Sequence, residues 1–322
     1  MQFRTVADLN SCIVKNLELV PGDVDLIVGL PRSGMLPATL LALHLNLPMT
    51  DWESFLKGHI MPVGRTRQND KQVTDISQCR KVFVIDDTIS TGKTIKKARE
   101  QALISHLNQE IIWASVYAIP GAEKKVDCYF ETCPLPQIFE WNLLHQAELK
   151  NCCVDIDGVL CRNPTAVEDD DGPAYVHFLQ SVPPKIVPNE LVGYLVTARL
   201  EKYRHETETW LRKHGVNYKK LIMMDLPDKE ARTAAGSHAI YKADIYKKTN
   251  THLFIESNSK QAIEISSRTN KPVYCFEKHQ FIPSSGFVEG KNLARYKVKS
   301  SWKLIKKRLS KLKKKLKHKL KL

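Results

Sequence analysis

The sequence lacks the patterns that mark several common classes of protein. No apolar run reaches the roughly 18 residues of a membrane-spanning helix, and the amino terminus has no charged segment followed by an apolar one, as a signal peptide would have. The phosphate-binding pattern G-x-x-x-x-G-K-[ST] and the dinucleotide-binding pattern G-x-G-x-x-G are both absent. The sequence therefore predicts a cytoplasmic protein that is neither a P-loop enzyme nor a dinucleotide-binding one.

The eight cysteines are scattered, without a C-x-x-C pair or the paired Cys and His spacing of a zinc site. Several lie within apolar segments, which predicts reduced, buried thiols in a cytosolic protein. Cys128 and Cys133 could supply two metal ligands, but a structural role is favoured for this pair.

The 322 residues suffice for two domains, and a content of 43% hydrophobic and 26% charged residues is ordinary for a globular protein. The net charge of +14 is concentrated at the carboxyl terminus. Residues 303–322 contain eleven Lys and Arg residues and no acid, which leaves only +3 for the rest of the chain.

Apolar residues in segment 301–322 recur at spacings of three or four residues. They are Trp302, Ile305, Leu309, Leu312, Leu316 and Leu320. Such a stripe surrounded by lysine predicts a basic amphipathic helix on an anionic membrane surface. Nonspecific binding to nucleic acid and a disordered solubilising tail are the alternatives, although neither needs leucine at helical spacing.

Segment 82–94, V-F-V-I-D-D-T-I-S-T-G-K-T, is the most informative part of the first half. Four apolar residues predict a buried strand, and the adjacent acids Asp86 and Asp87 follow it. Carboxylates can accept hydrogen bonds from a cis-diol. The next turn opens a helix predicted for 95–107, whose free N–H groups attract phosphate. The segment therefore predicts a site for a ribose 5-phosphate.

This segment resembles the motif with which type I phosphoribosyltransferases bind 5-phosphoribosyl 1-pyrophosphate (PRPP). The resemblance implies that Asp86 and Asp87 hold the 2- and 3-hydroxyls of the ribose. The residues that it assigns to the 5-phosphate loop are Ser90, Thr91, Gly92, Lys93 and Thr94. An ordinary strand, turn and capped helix with solvated acids is the alternative.

A glycine-bounded loop, G-L-P-R-S-G, lies between a strand predicted for 25–28 and a helix predicted for 36–45. Its backbone N–H groups can approach a diphosphate closely, and its guanidinium can neutralise charge on a leaving group. The loop looks like the pyrophosphate loop of the same transferase family. The resemblance makes Arg32, Ser33 and Gly34 pyrophosphate contacts.

The polar, broken segment 51–80 contains Arg65 and Arg67. By the same resemblance, a mobile loop from this region closes over the reacting centre, so both arginines are candidate diphosphate clamps. A solvated basic loop is an equal alternative.

The rest of the first half contains fewer signals. An amphipathic helix is predicted for 5–19, a buried strand for 111–119, and irregular polar chain for 121–133. Segment 139–142, F-E-W-N, either covers the binding site of an acceptor or is a packed linker, and the packed linker is the favoured interpretation.

The second half contains C-C-V-D-I-D-G-V at 152–159, a predicted strand that ends in D-x-D-G. Two carboxylates at this spacing can divide the work: the first attacks phosphorus and binds magnesium, and the second transfers a proton to the leaving oxygen. The pattern resembles motif I of the haloacid dehalogenase-like (HAD) phosphatases. This implies that Asp155 is the nucleophile and Asp157 the acid/base.

Three later residues follow in the order of that family. Thr197 supplies a hydroxyl for a phosphoryl oxygen, Lys242 a cation near the phosphate, and Glu256 a carboxylate near the metal. The residues that the resemblance assigns to magnesium are Asp155, Asp157 and Glu256. The family often has two acids at the last position, whereas Glu256 is followed by Ser257 and Asn258.

Segment 158–188 is too long for a plain crossover and predicts a small cap or substrate loop. A helix predicted for 199–214 begins at Arg199, a candidate contact for a second part of the substrate. Arg204 is interpreted as an ordinary solvated charge on this helix rather than as a substrate contact.

Together these patterns predict an α/β protein with two doubly wound parallel-sheet domains and a basic amphipathic carboxyl-terminal helix. The predicted boundaries are 1–148 for the phosphoribosyltransferase-like domain, 149–290 for the HAD-like domain and 291–322 for the tail. In open sheets of this type, ligands bind at the carboxyl ends of the strands.

The combination looks like the fused phosphoribosyltransferase–HAD proteins of bacterial surface-polysaccharide gene clusters, which add ribofuranose to glycans. It implies transfer of ribose 5-phosphate from PRPP to a hydroxyl of a lipid-linked glycan, followed by removal of the 5-phosphate. The implied partners are PRPP, magnesium, a glycolipid acceptor and the inner face of the cytoplasmic membrane, with a homo-oligomer as a further expectation and no specific nucleic acid. The alternatives are a nucleobase salvage transferase fused to a nucleotidase, and a PRPP-sensing regulator without catalysis.

Overall fold

The computed structural model describes residues 1–62, 73–236 and 238–284. The chain divides into two compact units, Met1–Lys150 with Pro188–Leu191, and Asn151–Val187 with Val192–Leu322. Arg65, Arg67 and segment 301–322 lie outside the described residues. Within those residues, no helix has the length and apolar character needed to cross a membrane.

The first unit contains a five-stranded parallel sheet in the order β3-β2-β4-β5-β6, and a separate parallel pair of β1 and β7. Its elements are β1 (Gln2–Arg4), α1 (Val6–Lys15), β2 (Leu26–Gly29), α2 (Met35–Leu45), β3 (Met49–Asp51), α3 (Trp52–Leu56), β4 (Lys81–Ile89), α4 (Lys93–Ile104), β5 (Glu110–Ala118), β6 (Cys128–Thr132) and β7 (Gln137–Phe139).

Helices cover both faces of this sheet because both faces are apolar. In β4, Phe83 and Ile85 pack in one core cluster with α1 and α2, whereas Val82 and Val84 pack in another with α3 and α4. Successive strand residues point to opposite faces, so a continuous apolar run requires cover on both sides. The parallel α/β fold predicted for the first half is confirmed.

The second unit contains a six-stranded sheet in the order β10-β9-β8-β11-β12-β13, parallel except for β13. Its elements are β8 (Cys152–Val154), α5 (Pro173–Ser181), β9 (Val192–Leu200), α6 (Arg204–Lys213), β10 (Tyr218–Met224), α7 (Lys229–Ala234), α8 (His238–Lys248), β11 (Leu253–Glu256), α9 (Ser259–Thr269), β12 (Val273–Cys275) and β13 (Gln280–Ile282). Helices α8 and α9 pack on one face, where Tyr246 and Ile265 join Phe254 in the core. This is again a mainly parallel α/β unit, and its HAD-like character stays a prediction.

Several element boundaries differ from the predictions. Strand β4 does not end before Asp86, because its pairing with β5 continues through the acid pair to the end of the strand. Helix α4 ends at Ile104, and the chain then turns through a positive φ of 47° at His106. Segment 121–133 is not wholly irregular, since β6 lies within it and pairs with β5.

Two helices are shorter than predicted. Helix α1 ends at Lys15, and a 3-10 turn over Leu17–Leu19 follows it. Arg199 lies in β9 rather than in a helix, and α6 begins only at Arg204. The strand continues because β9 is paired with β10 as far as Leu200.

Candidate active sites

The acid pair of the first unit lies beside the glycine-bounded loop. Strand β2 pairs with β4, with Gly29 opposite Ile85, so residues 30–34 leave the sheet next to the acids. The Ser33 hydroxyl donates to Asp87 Oδ1 at 2.9 Å. The structure thus brings together two segments that the sequence had linked only by their order.

The two acids have different surroundings. Asp87 is 2% exposed, and its second oxygen, Oδ2, accepts a hydrogen bond from Trp141 Nε1 at 2.7 Å. Asp86 is half-buried, and its Oδ1 accepts from the backbone N–H of Asp87 at 2.9 Å. Burial raises the pKa of Asp86 from its ordinary 3.8 to about 8, and the charge of Asp87 adds to this shift.

Gly34 is required by the close packing of its loop. A Cβ at this position would lie 2.4 Å from Leu30 O and 2.8 Å from Ile85 O, and both of these are backbone atoms that a side chain cannot displace cheaply. The peptide bond between Pro31 and Arg32 is cis. The Arg32 side chain is exposed, which leaves its guanidinium accessible to an anion.

The predicted 5-phosphate loop connects β4 to α4. Gly92 has a φ of +74° and caps α4 without a side-chain hydrogen bond, so the first-turn N–H groups face the loop. Lys125 Nζ donates to Ser90 O at 3.0 Å and to Thr91 O at 3.2 Å, which adds a cation beside the loop. No sequence pattern indicated a role for Lys125, which is one of several lysines in a polar stretch.

Segment 139–142 is packed, as favoured from the sequence, but it also reaches the acid pair. The rings of Phe139 and Trp141 stack with centroids 4.7 Å apart and 17° between their planes, and Tyr117 stacks on Phe139 at 5.6 Å. The pairing of β7 with β1 fixes the start of this segment. The indole of Trp141 therefore joins an aromatic stack to Asp87.

In the second unit, Asp155 follows β8, Glu256 ends β11, and Lys242 projects from α8. Lys242 Nζ lies 2.7 Å from Asp155 Oδ2 and 2.7 Å from Glu256 Oε2, and all three residues are buried. Burial raises the pKa of Asp155, with the charges of Glu256 and Asp157 acting in the same direction, although Lys242 opposes the shift. The structure therefore brings together three residues predicted to share a site.

Asp157 is held by Arg199. The guanidinium donates from Nε to Oδ2 at 3.0 Å and from Nη2 to Oδ1 at 2.7 Å, a two-point contact. Burial by itself would raise the pKa of Asp157, but Arg199 outweighs it and lowers the pKa. The ionised form is favoured, which is the opposite of what a proton donor to the leaving oxygen requires.

Arg199 was predicted to contact a second part of the substrate, but the structure gives it a different position. The residue is only 1% exposed, and its remaining contacts are with Thr207 Oγ1 and Cys161 Sγ, each at 3.4 Å. Since a strand residue of β9 points into the unit here, the guanidinium faces Asp157 rather than open solvent.

The remaining predicted residues of this site lie close to the acids. Thr197 is buried, and its hydroxyl accepts from the backbone N–H of Arg199 at 3.2 Å. Gly158 has a φ of +82°, and a Cβ there would lie 2.5 Å from the Cβ of Ser257. The glycine of D-x-D-G is thus needed for the turn to pack against the residue after Glu256.

Of the three predicted magnesium ligands, Asp155 and Glu256 meet at Lys242 Nζ, whereas Asp157 is held by Arg199. Every carboxylate oxygen of Asp155, Asp157 and Glu256 accepts a hydrogen bond from the protein. Among residues 1–62, 73–236 and 238–284, no three His, Cys, Asp or Glu side chains form a group that could hold a metal ion. This arrangement does not fit a resident divalent cation, and no catalytic step is assigned to one. Cys128 and Cys133 are free thiols.

Segment 158–188 contains α5 and is held by ion pairs that sequence reasoning missed. Asp169 pairs with Lys229 and with Arg232, while Asp171 accepts from Tyr203 Oη at 2.9 Å and from Lys202 Nζ at 2.8 Å. These acids anchor the segment to its own unit.

Comparison with known proteins finds a similarity in the first unit. Residues 3–148 match the family model of the phosphoribosyl transferase domain. The phosphoribosyltransferase domain predicted from the acid pair and its two loops is thereby confirmed. The match ends before the D-x-D-G segment.

The individual proteins that resemble this chain have low sequence identity to it. The chain is 26% identical to the xanthine-guanine phosphoribosyltransferase of Roseobacter denitrificans over 109 residues, which are 32% of this chain and 58% of that protein. It thus spans little more than half the length of this curated relative. Two solved structures are also similar, each with a TM-score of 0.32 over 44% of this chain and 92% of the other: the xanthine-guanine-hypoxanthine phosphoribosyltransferase of Helicobacter pylori, at 17% identity, and a purine phosphoribosyltransferase of Pyrococcus horikoshii, at 22%.

Proposed function

We propose that this protein transfers the phosphoribosyl group of PRPP to an acceptor hydroxyl and then removes the 5-phosphate from the product. The observation that carries the proposal is the presence, in one chain, of two acidic sites suited to different phosphate chemistry. The first is the Asp86–Asp87 pair between the glycine-bounded loop and the loop that opens α4, in a unit that matches the phosphoribosyl transferase domain. The second is Asp155 with Lys242, behind a D-x-D-G turn.

In the transfer step, the acceptor hydroxyl attacks C1 of PRPP, the bond from C1 to the pyrophosphate oxygen breaks, and the hydroxyl proton passes to solvent. The exposed Arg32 neutralises charge on the departing pyrophosphate. The amino terminus of α4 and its loop hold the 5-phosphate. Magnesium bound to the diphosphate of PRPP would supply further positive charge at the leaving group.

In the hydrolysis step, a carboxylate oxygen of Asp155 bonds to phosphorus as the ribose 5-oxygen leaves and takes a proton from water. Lys242 balances the added negative charge at 2.7 Å. A second water then cleaves the aspartyl phosphate, and its proton passes to Asp157, which Arg199 keeps ionised for this purpose.

The acceptor proposed here is a hydroxyl of a lipid-linked glycan, since hydrolysis of the 5-phosphate then leaves a plain ribofuranosyl residue. The resemblance to ribofuranose-adding fusion proteins supports this. The basic, apolar-striped sequence of 301–322 supports a location at the inner face of the cytoplasmic membrane.

A nucleobase is the second candidate acceptor. The curated relative is named a xanthine-guanine phosphoribosyltransferase, and the half-buried indole of Trp141 places a planar ring beside the acid pair. In that case the second site acts as a nucleotidase.

Mass spectrometry of the products tests the proposal. Wild type and Asp155→Asn are incubated with PRPP and magnesium, together with either a membrane glycolipid extract or a mixture of purine bases. We expect the variant to accumulate glycolipid that carries a phosphopentose, and wild type to yield glycolipid that carries the pentose alone.

Consumption of PRPP only with the bases would replace the glycan by a nucleobase as the acceptor. Consumption with neither would contradict the transferase itself and favour a PRPP-sensing regulator. Release of phosphate by Asp155→Asn at the wild-type rate would contradict the assignment of the second site.

A further inference from the structure

The first unit contains a cavity of about 260 Å³ whose lining shares no residue with the acid pair or its two loops. Residues of α1 line it, together with Arg4 of β1, Tyr117 of β5 and Glu131 of β6. A cavity of about 150 Å³ can hold a ring of six carbon atoms, so this one is large enough for a small organic molecule.

The hydroxyl of Tyr117 is a buried donor without a partner. The residue is fully buried, and its Oη forms no hydrogen bond within residues 1–62, 73–236 and 238–284. Burial raises the pKa of Tyr117, so the hydroxyl keeps its proton and can donate. The charges that act on the hydroxyl include those of Glu131, Arg4 and Asp8, which all line the cavity, and this indicates that Oη faces the cavity.

Packing holds the ring of Tyr117 and so restricts where its hydroxyl can point. The ring stacks on Phe139 with centroids 5.6 Å apart, and the guanidinium carbon of Arg4 lies 5.7 Å from its centroid. Native proteins contain few buried polar groups without a hydrogen bond, because leaving one unpaired is destabilising. A buried donor that faces a cavity therefore indicates a molecule that fills the cavity and accepts the hydrogen bond.

The acids of the lining already have partners. Glu131 Oε1 accepts from Arg4 Nη2 at 2.6 Å. Asp8 Oδ2 accepts from the backbone N–H and the hydroxyl of Thr5 at 2.8 and 2.7 Å. The presence of both acids disfavours a ligand with more than one negative charge, such as a phosphate monoester.

Lys15, at the end of α1, supplies positive charge to the same cavity. In the part of the chain that the structure describes, its Nζ forms neither an ion pair nor a hydrogen bond. Burial raises the pKa of Cys12 to about 12, and the charge of Lys15 acts against this shift, so the cation lies near a buried part of the lining. Lys15 and Tyr117 are both donors, and a ligand that serves both needs acceptor oxygens and a negative charge.

We propose that this cavity is a binding site for a small organic carboxylate, which accepts a hydrogen bond from Tyr117 Oη and faces Lys15 with its charge. A carboxylate is favoured over a phosphate because it carries a single charge beside Asp8 and Glu131. Binding supplies the partner that the buried hydroxyl lacks. The site is separate from the proposed transfer from PRPP and does not depend on it.

Calorimetric titration of the full chain tests the proposal. The probes are acetate, butyrate and benzoate, with benzylamine as a molecule of the size of benzoate and the opposite charge. We expect at least one carboxylate to bind, and benzylamine not to bind. Tyr117→Phe keeps the ring and removes the donor, and we expect it to weaken that carboxylate about tenfold. Lys15→Met should weaken it about threefold, since the lysine is exposed to solvent.

Tyr129→Phe and Lys57→Met are the matched controls, because both residues are exposed in the same unit and neither lines the cavity. We expect both to bind the carboxylate as wild type does. The melting temperature of the ligand-free protein is a second measurement. Tyr117→Phe should melt at the wild-type temperature or above it, because the change removes an unpaired buried donor.

Four results would overturn the proposal. The first is that no carboxylate binds, and the second is that benzylamine binds as well as benzoate, which would exclude a preference for anions. The third is that Tyr117→Phe binds the carboxylate as wild type or as weakly as Tyr129→Phe does, which would place the ligand elsewhere. The fourth is a lower melting temperature of ligand-free Tyr117→Phe, since the hydroxyl would then have a partner, such as an ordered water, before any ligand binds. All titrations omit PRPP, so their outcome is separate from that of the proposed transferase function.

Discussion

In the first unit, Asp87 is held by two neutral donors, the Ser33 hydroxyl and the Trp141 indole, and the adjacent Asp86 has Asp87 as its neighbour. In the second unit, the acids are held by cations. Lys242 bridges Asp155 and Glu256, and Arg199 holds Asp157 at two points.

The difference indicates what each site is prepared to bind. A carboxyl pair without a cation is suited to neutral donors such as the hydroxyls of a sugar, because a hydroxyl stabilises the charge without neutralising it. In the second unit, the two cations Lys242 and Arg199 lie against three acids, so positive groups are already in place beside the carboxylates. The acidic residues thus have neutral hydrogen-bond donors as partners in the first unit and cations as partners in the second.

The largest expected effect is on the stability of the second unit, through Lys242→Met. The change leaves Asp155 and Glu256 buried without their shared cation, and we expect the free energy of unfolding to fall by about 3–5 kcal/mol. Chemical denaturation measures this. Lys202→Met is the control, since the pair of Lys202 with Asp171 is partly exposed and contributes at most about 1 kcal/mol. A loss for Lys242→Met no larger than for the control would mean that the acids of this site need no cation.

An intermediate effect is expected on the pH dependence of the first unit. The pKa of Asp86 is raised to about 8 in the folded protein, so the folded state binds more protons than the unfolded state between pH values of about 4 and 8, and stability falls as pH rises through that window. Asp86→Asn should reduce this fall and raise the melting temperature at pH 9 by about 3 °C or more.

The matched control for this pH series is Asp23→Asn. Asp23 is exposed, and a hydrogen bond from Lys81 lowers its pKa, so its contribution to stability has the opposite sign and is lost as the pH falls. The control should therefore leave the decline between pH 4 and 8 in place. Parallel pH profiles of Asp86→Asn and wild type would show that the acid pair is already neutralised by some other group.

The smallest expected effect is at the phosphate loop. Lys125 holds Ser90 O and Thr91 O, but it is exposed, so water screens its charge. We expect Lys125→Met to weaken PRPP binding by about threefold, in line with the modest contribution of exposed charges. The adjacent Lys124→Met removes the same charge without those two contacts, and calorimetric titration should give it the wild-type affinity. Equal weakening by both variants would point to a diffuse charge effect rather than to support of the loop.

The local patterns of the sequence predicted the main parts of the first site. An apolar run followed by two acids and a glycine turn is encoded within 82–94, and it became β4, its loop and the start of α4. The extent of β4 was missed because two adjacent acids disfavour a strand, whereas pairing with β5 over the full length overrides that preference.

Contacts between distant segments could not be predicted in the same way. Nothing in the sequence near Trp141 indicates that its indole reaches Asp87, or that Arg199 turns inward to Asp157 rather than outward. Such partners depend on strand order and on which face a residue occupies, and these are properties of the whole sheet. The D-x-D-G turn, by contrast, is local, and its glycine does take the positive φ that the pattern suggests.

The contacts of Asp87 also bear on when a functional site can exist during folding. The residue lies 54 positions from Ser33 and 54 from Trp141, so one carboxylate joins the beginning, middle and end of the first unit. Both connections close long loops, which costs chain entropy that only a nearly complete fold recovers. A partly folded chain therefore has no assembled site, and a ligand of this site stabilises only molecules in which the whole unit has formed. Occupancy by substrate thus selects for the finished fold of the unit that binds it.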